Sequence, residues 1–154
     1  MRTRLMKALS LLALVFSLGF NQVVAAEWGT DYHAARAQAK AENKLVLLNF
    51  TGSDWCGGCI RLKEEVFSTS AFAEYASKHF VLVEVDFPVR KKLPASQAKA
   101  NKWLEENFKV GGYPTVVIAD AEGKIVGMEE GYTPGSGPEK YLKLLEAIAR
   151  KAGK

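Results

Sequence analysis

Metal-ligating side chains are scarce in this sequence. Two cysteines, Cys56 and Cys59, and two histidines, His33 and His79, are all it has in 154 residues, and both histidines lie far from the cysteines. A cysteine-rich scaffold is therefore excluded. A structural zinc site, which takes four ligands in paired spacings, has no second Cys or His pair to draw on. Proline is sparse too, at five, and Pro88, Pro94, Pro134 and Pro138 stand in segments that read as loops. There are no internal repeats and no low-complexity tail.

Charge of one sign is also lacking. The whole chain holds 21 Lys+Arg against 17 Asp+Glu, a net +4. Three of those cations, Arg2, Arg4 and Lys7, open the chain, followed by an apolar stretch from Ala8 to Phe20 and by Val24-Ala25-Ala26. A positive start, a short apolar core and small residues at the end have the pattern of a secretory signal peptide, with cleavage after Ala26. The apolar stretch is short for a span of about 20 residues, so retention as an anchor is the weaker alternative. Without residues 1–26 the chain keeps 128 residues, one ordinary domain. Its balance is then 18 basic against 17 acidic residues, which gives no electrostatic footprint for nucleic acid. Export to the periplasm or the outside follows, into a compartment where disulfides persist.

The stretch from Lys44 to Ile60 carries the chemistry. Leu45 to Phe50 is an apolar run of strand length, Thr51-Gly52-Ser53-Asp54 a polar turn, and Trp55 precedes Cys56-Gly57-Gly58-Cys59. Ile60 to Phe67 then has a helical pattern without glycine or proline. A buried strand therefore feeds a tight loop, and the Cys-x-x-Cys sits where a long helix begins. Free N–H groups and the positive end of the macrodipole favour an anionic sulfur there, so the Cys56 thiol is expected to fall below the roughly 8.5 of a free thiol. Cys56 attacks a partner disulfide and Cys59 resolves the mixed disulfide. Gly57 and Gly58 are expected to leave the Cys56 sulfur open to a protein substrate. Half of a zinc site and a purely structural disulfide are the alternatives; the second removes little chain entropy from so short a loop.

Around this centre the pattern predicts an α/β domain. Asp31 caps a helix to about Asn43 with Tyr32, Ala35 and Ala39 on one face, and His33 at its surface. Ser70 begins a shorter helix with Phe72, Tyr75 and Ala76 inward. Residues 80–86 form a strand, 87–94 a loop, and a helix follows to Phe108 with Ala100, Trp103, Leu104 and Phe108 as core. Strand 115–119 joins strand 124–129 through the turn 120–123, with Gly127 at a bulge. Glu139 onward is a helix burying Tyr141, Leu144, Leu145 and Ile148. Strand 45–50 is central between 80–86 and 115–119, with 124–129 at the edge, giving four strands, or five if Trp28-Gly29-Thr30 adds another edge. Two parallel crossovers, both right-handed, are expected. Arg90-Lys91-Lys92 is either a docking patch for an acidic partner or a solvated loop.

Asn49 through Cys59, with Lys63-Glu64-Glu65-Val66-Phe67, Val85-Asp86, Gly112-Tyr113-Pro114-Thr115 and Gly131, resembles the thioredoxin superfamily. More narrowly, these residues resemble secreted bacterial thioredoxin-family proteins and the thioredoxin-like domain of thiol:disulfide interchange proteins. The resemblance covers the chain after residue 30 and implies a thioredoxin-like fold with a central mixed sheet flanked by helices. It implies a thiol-disulfide oxidoreductase with catalytic Cys56 and Cys59, supported by Trp55, Gly57, Gly58, Asn49, Tyr113 and Pro114. It also implies a cis Pro114 facing the cysteines, with the Tyr113 backbone pairing an extended substrate. No cofactor beyond the Cys56–Cys59 couple is expected.

One departure stands out. The family's buried aspartate on the central strand is Asn49 here, and its partner lysine falls on Leu82. An amide accepts no proton at physiological pH, so slower deprotonation of Cys59 is expected, with Glu84 or water as a substitute. With no charged residue between the cysteines, neither extreme of the family's potentials is expected. Protein thiols and disulfides are the expected partners, with a membrane electron donor keeping a monomeric reductase or isomerase reduced. Two other readings stay open, a peptide-binding module with idle cysteines and a Cu(I)-handling chaperone.

Overall fold

The computed structural model describes residues 25–154. The expected leader therefore lies outside the described residues, apart from Ala25 and Ala26. Among the described residues no helix is long and apolar enough to cross a membrane.

Strand β2, Leu45–Thr51, is buried along its whole length. Seven consecutive buried residues, mostly leucine, valine and phenylalanine, require cover on both faces. β2 lies at the centre of a five-stranded sheet of order β1-β3-β2-β4-β5. β3 (Phe80–Asp86) runs parallel to it and β1 (Trp28–Gly29) parallel to β3, while β4 (Thr115–Ala119) is antiparallel to β2 and β5 (Ile125–Glu130) antiparallel to β4. The fifth strand at Trp28 is thus real. The connection from β3 to β4 returns antiparallel, so it is not the second parallel crossover expected. That role falls to the connection from β1 to β2, which the two-residue β1 hid.

Alternation along β2 sorts the core into two layers. Leu45 and Leu47 meet Leu62, Val66, Phe67, Phe72, Tyr141 and Leu145. These come from α2 (Gly57–Leu62), the π-helical turn Lys63–Phe67 that continues it, α3 (Ser70–His79) and α5 (Gly137–Lys151). Val46, Leu48 and Phe50 meet Tyr32, Ala35, Ala39, Leu104 and Phe108, from α1 (Tyr32–Glu42) and α4 (Ala95–Phe108). Each fully covered Leu, Val or Phe contributes about 1.5–3 kcal/mol, so this double cover holds β2 rigid.

α1 begins as expected, with the Asp31 carboxylate accepting from the His33 and Ala34 amides at 2.9 and 3.0 Å. Three expectations need correcting. The active-site helix is not one uniform α-helix but widens into a π turn at Lys63. On α4, Trp103 is 47% exposed and Ala100 is exposed, and the inward face is Asn101, Leu104 and Phe108. Asn101 is buried because its amide donates to the Asp86 carbonyl at 2.8 Å, a long-range bond that hydrophobicity does not register. The irregularity in β5 falls at Val126, between the pairs Ile118–Gly127 and Ala119–Ile125. Gly127 serves packing instead, since a Cβ there would lie 2.6 Å from Ile148.

Candidate redox site at the end of the central strand

At the carboxyl end of β2 the chain turns sharply. The Trp55 and Cys56 amides both donate to the Gly52 carbonyl, at 3.2 and 2.9 Å. Gly52 is required there, because a Cβ would lie 2.5 Å from the Trp55 ring. The turn delivers Cys56 to the cap of α2, where its sulfur accepts from the Cys59 amide at 3.2 Å. Cys56 and Cys59 are joined as a disulfide, with Cα atoms 5.2 Å apart. The Cys59 sulfur in turn accepts from the Gly52 amide at 3.5 Å.

Cys56 is only 7% exposed and Cys59 4%, so the expectation of an open Cys56 sulfur is corrected. Capping tucks the side chain into the helix start, and the approach that remains lies beside Gly57, where a Cβ would meet nothing within 4 Å. Gly58 is different, as its Cβ would sit 3.3 Å from Pro114 Cδ. The Tyr113–Pro114 bond is cis, in line with the resemblance, and Pro114 packs against the Cys-Gly-Gly-Cys turn. Tyr113 stacks on Phe87 at 5.0 Å and meets Trp55 edge-on at 6.0 Å. Its hydroxyl donates to Glu105. Burial and that carboxylate push the phenol well above its ordinary range.

Most of the candidate residues thus come together: Trp55, Cys56, Gly57, Gly58, Cys59, Tyr113 and Pro114 form one surface. Asn49 stands behind it, 6% exposed on β2. Its neighbour across the β2–β3 pair is Glu84, whereas Leu82 pairs with Leu47. The assignment of Leu82 opposite Asn49 is therefore corrected. Register is set by the pairing of whole strands, and it puts Glu84 where the resemblance put Leu82.

Three sets of contacts escaped the sequence reading, all of them tying the active-site turn to the end of β3 and the loop after it. Asp86 accepts from the Ser53 amide and hydroxyl at 2.9 and 2.7 Å and from Lys91 Nζ at 2.8 Å. Burial alone would raise its carboxyl, but Lys91 and Ser53 together hold it below the usual carboxylate range. Asp54 accepts from the amides of Val89, Arg90 and Lys91 at 2.9, 2.8 and 3.1 Å, and these, Val89 foremost, also lower its carboxyl. The Phe87 carbonyl accepts from Trp55 Nε1 at 2.8 Å. The loop is thereby stitched to the active-site turn, and Lys91, itself still exposed, pairs with Asp86, while Arg90 and Lys92 are exposed as well. Acidic residues flanking the turn at 54 and 86 were the only available sign. Among the described residues no group of three or more His, Cys, Asp or Glu is placed to hold a metal ion.

A family model for a thioredoxin-like domain matches residues 32–149. The disulfide bond reductase DsbH of Chlamydia pneumoniae is 38% identical over 118 residues, 77% of this chain and 70% of that protein. The thioredoxin-related protein DsbJ of the same organism is 29% identical over 126 residues, 76% of this chain but only 36% of its own length. The solved structure of a DsbH oxidoreductase superposes with a TM-score of 0.76 at 34% identity, covering 86% of this chain and 92% of that one. The chain belongs to the thioredoxin-like domain family, and its Cys56–Cys59 pair has the spacing of that family's thiol-disulfide couple.

Proposed function

We propose that this protein is an exported thiol-disulfide oxidoreductase that reduces or isomerises protein disulfides, with Cys56 as nucleophile and Cys59 as resolving thiol. The observation that carries this reading is a Cys-x-x-Cys disulfide at a helix start, packed against a cis-proline. Similarity to a protein named as a disulfide bond reductase supports the reductive direction.

In the reduced protein the Cys59 amide and the helix start favour the Cys56 thiolate. That thiolate attacks one sulfur of a substrate disulfide, and the other substrate sulfur leaves with the electron pair. Cys59, once deprotonated, attacks Cys56 Sγ, releases the second substrate sulfur and restores the intramolecular disulfide. Two electrons pass to the substrate, so an external donor must return two to the protein, and a membrane electron donor is the natural source. An extended substrate segment lies along Tyr113-Pro114 and reaches the sulfur from the Gly57 side. A cleaved leader ending at Ala26 places the domain in the periplasm or outside the cell, where it acts as a monomer.

The test is reduction of insulin by the pre-reduced 27–154 protein, with adduct trapping by Cys59→Ser. Turnover by the wild type, together with a stable mixed disulfide on Cys56 in the variant, is expected. A wild type that binds peptides yet reduces nothing would leave only the peptide-binding reading.

A further inference from the structure

Behind Cys59 lies a space with several polar side chains in its lining. A pocket of about 260 Å³ is lined by Cys59, Asn49, Thr51, Ser53, Lys63 and Glu84, among others. Asn49 is among the lining residues, and its buried Oδ1 has no hydrogen-bond partner among the described residues. An unpaired buried amide oxygen costs about 1–3 kcal/mol, so such an atom beside a space with further polar side chains in its lining is a place for water.

The groups around this space differ in what they can do with a proton. Asn49 cannot accept one, and neither can the hydroxyls of Thr51 and Ser53 at neutral pH. The Lys63 ammonium is a donor only. Asp86, at the end of β3, is occupied by Ser53 and Lys91. Glu64 is 60% exposed and lies 3.8 Å from Arg61. Glu84 remains: partly buried, paired in register with Asn49 and lining the same pocket as Cys59.

We infer that Glu84 is the proton acceptor for Cys59, acting through water in this pocket, with the Asn49 amide orienting that water. The inference rests on the oxidoreductase reading and deepens it. Once Cys56 holds the substrate in a mixed disulfide, the Cys59 thiol passes its proton along the water to the Glu84 carboxylate. The resulting thiolate attacks Cys56 Sγ, the bond from Cys56 to the substrate breaks, and the substrate sulfur leaves with the electron pair. When the protein is reduced again the proton returns to Cys59. The charges facing Glu84 are Lys63 and Glu64 from the helix side and Lys91 from the loop, whose ammonium feels the Glu84 charge. β2 contributes the neutral Asn49 and β1 the uncharged Trp28.

The test is single-turnover reduction of a fluorescence-quenched disulfide peptide between pH 6 and 9, with acid-quenched samples weighed intact to count the Cys56 adduct. In Glu84→Gln, formation of the adduct is expected at the wild-type rate. Its resolution is expected to slow by about 10²-fold, the scale of a lost acid–base group, with a changed pH profile. Adding Asn49→Asp to Glu84→Gln returns a carboxylate to the same pocket and is expected to restore resolution, which a packing defect would not allow. Resolution by Glu84→Gln at the wild-type rate and pH profile would overturn the relay. A wild type that leaves the peptide disulfide intact, with no adduct trapped on Cys56 by Cys59→Ser, overturns the oxidoreductase reading itself, and the relay with it.

Discussion

Gly57 and Gly58 are alike in sequence and unlike in surroundings. The missing side chain of Gly57 points into open space, and that of Gly58 points at Pro114 across 3.3 Å. Neither has the positive φ that would demand glycine. Replacing Gly57 by alanine therefore only restricts the unfolded chain and is expected to stabilise the protein by about 0.5–1 kcal/mol. In Gly58→Ala the same gain is offset, because the Cβ pushes Pro114 away by a few tenths of an ångström. Urea unfolding of the oxidised variants separates the two effects. Insulin reduction should slow in both variants, in Gly57→Ala because the Cβ stands on the side from which the substrate reaches Cys56, and in Gly58→Ala because the proline no longer packs on the turn. Equal stability gains in both variants would show that Pro114 yields freely.

At the level of elements, the active-site turn is held from two sides. β2 and α2 fix its ends, and the loop after β3 clamps its middle through Asp54, Asp86 and the Phe87 carbonyl. Magnitudes decide which contact matters. Lys91 is 55% exposed and Asp86 7%, so that ion pair is worth under about 1 kcal/mol. The Ser53 bonds end on a buried carboxylate and are worth more. Asp86→Ala is accordingly expected to cost about 2 kcal/mol, and Lys91→Ala less than half of that, by urea unfolding. Asp54→Ala should speed amide exchange at Val89, Arg90 and Lys91 while leaving β2 and β3 protected. Little of this clamp was legible beforehand, because the bonds of Ser53, Asp54 and Trp55 reach residues more than 30 positions away, and Asp54 and Asp86 look like ordinary solvated acids. The elements themselves were legible, since Leu45–Phe50, Phe72/Ala76 and Tyr141/Leu145 carry their burial in their spacing. Trp103 was misread for the converse reason: its spacing fits a core, but Asn101 takes the inward place by hydrogen bonding to the end of β3.

Across the molecule, six carboxylates share one bias. Glu42, Asp54, Glu65, Asp86, Glu105 and Glu139 are all held below their ordinary values. The causes are particular. Lys44 acts first on Glu42, the Val89 amide on Asp54, the Tyr132 hydroxyl on Glu65 and Lys143 on Glu139. For Asp86 and Glu105, burial works the other way and is outweighed by Lys91 with Ser53, and by Lys102 with Tyr113, respectively. A depressed folded value means that the unfolded chain binds more protons between the folded value and about 3.9 for Asp or 4.3 for Glu. Stability therefore rises with pH through that window. It is fully present above about pH 4.5 and lost as the pH falls through the folded values. Because the thiol-disulfide couple sits on a turn clamped by two of these acids, Asp54 and Asp86, the active-site loop should loosen on the same acid limb. Urea midpoints of the oxidised protein from pH 2 to 7 are expected to be flat above pH 5 and to fall steadily below it, with Asp86→Asn lowering the plateau and flattening the limb. A midpoint unchanged down to pH 3 would mean that these contacts persist in the unfolded chain or contribute nothing to the fold.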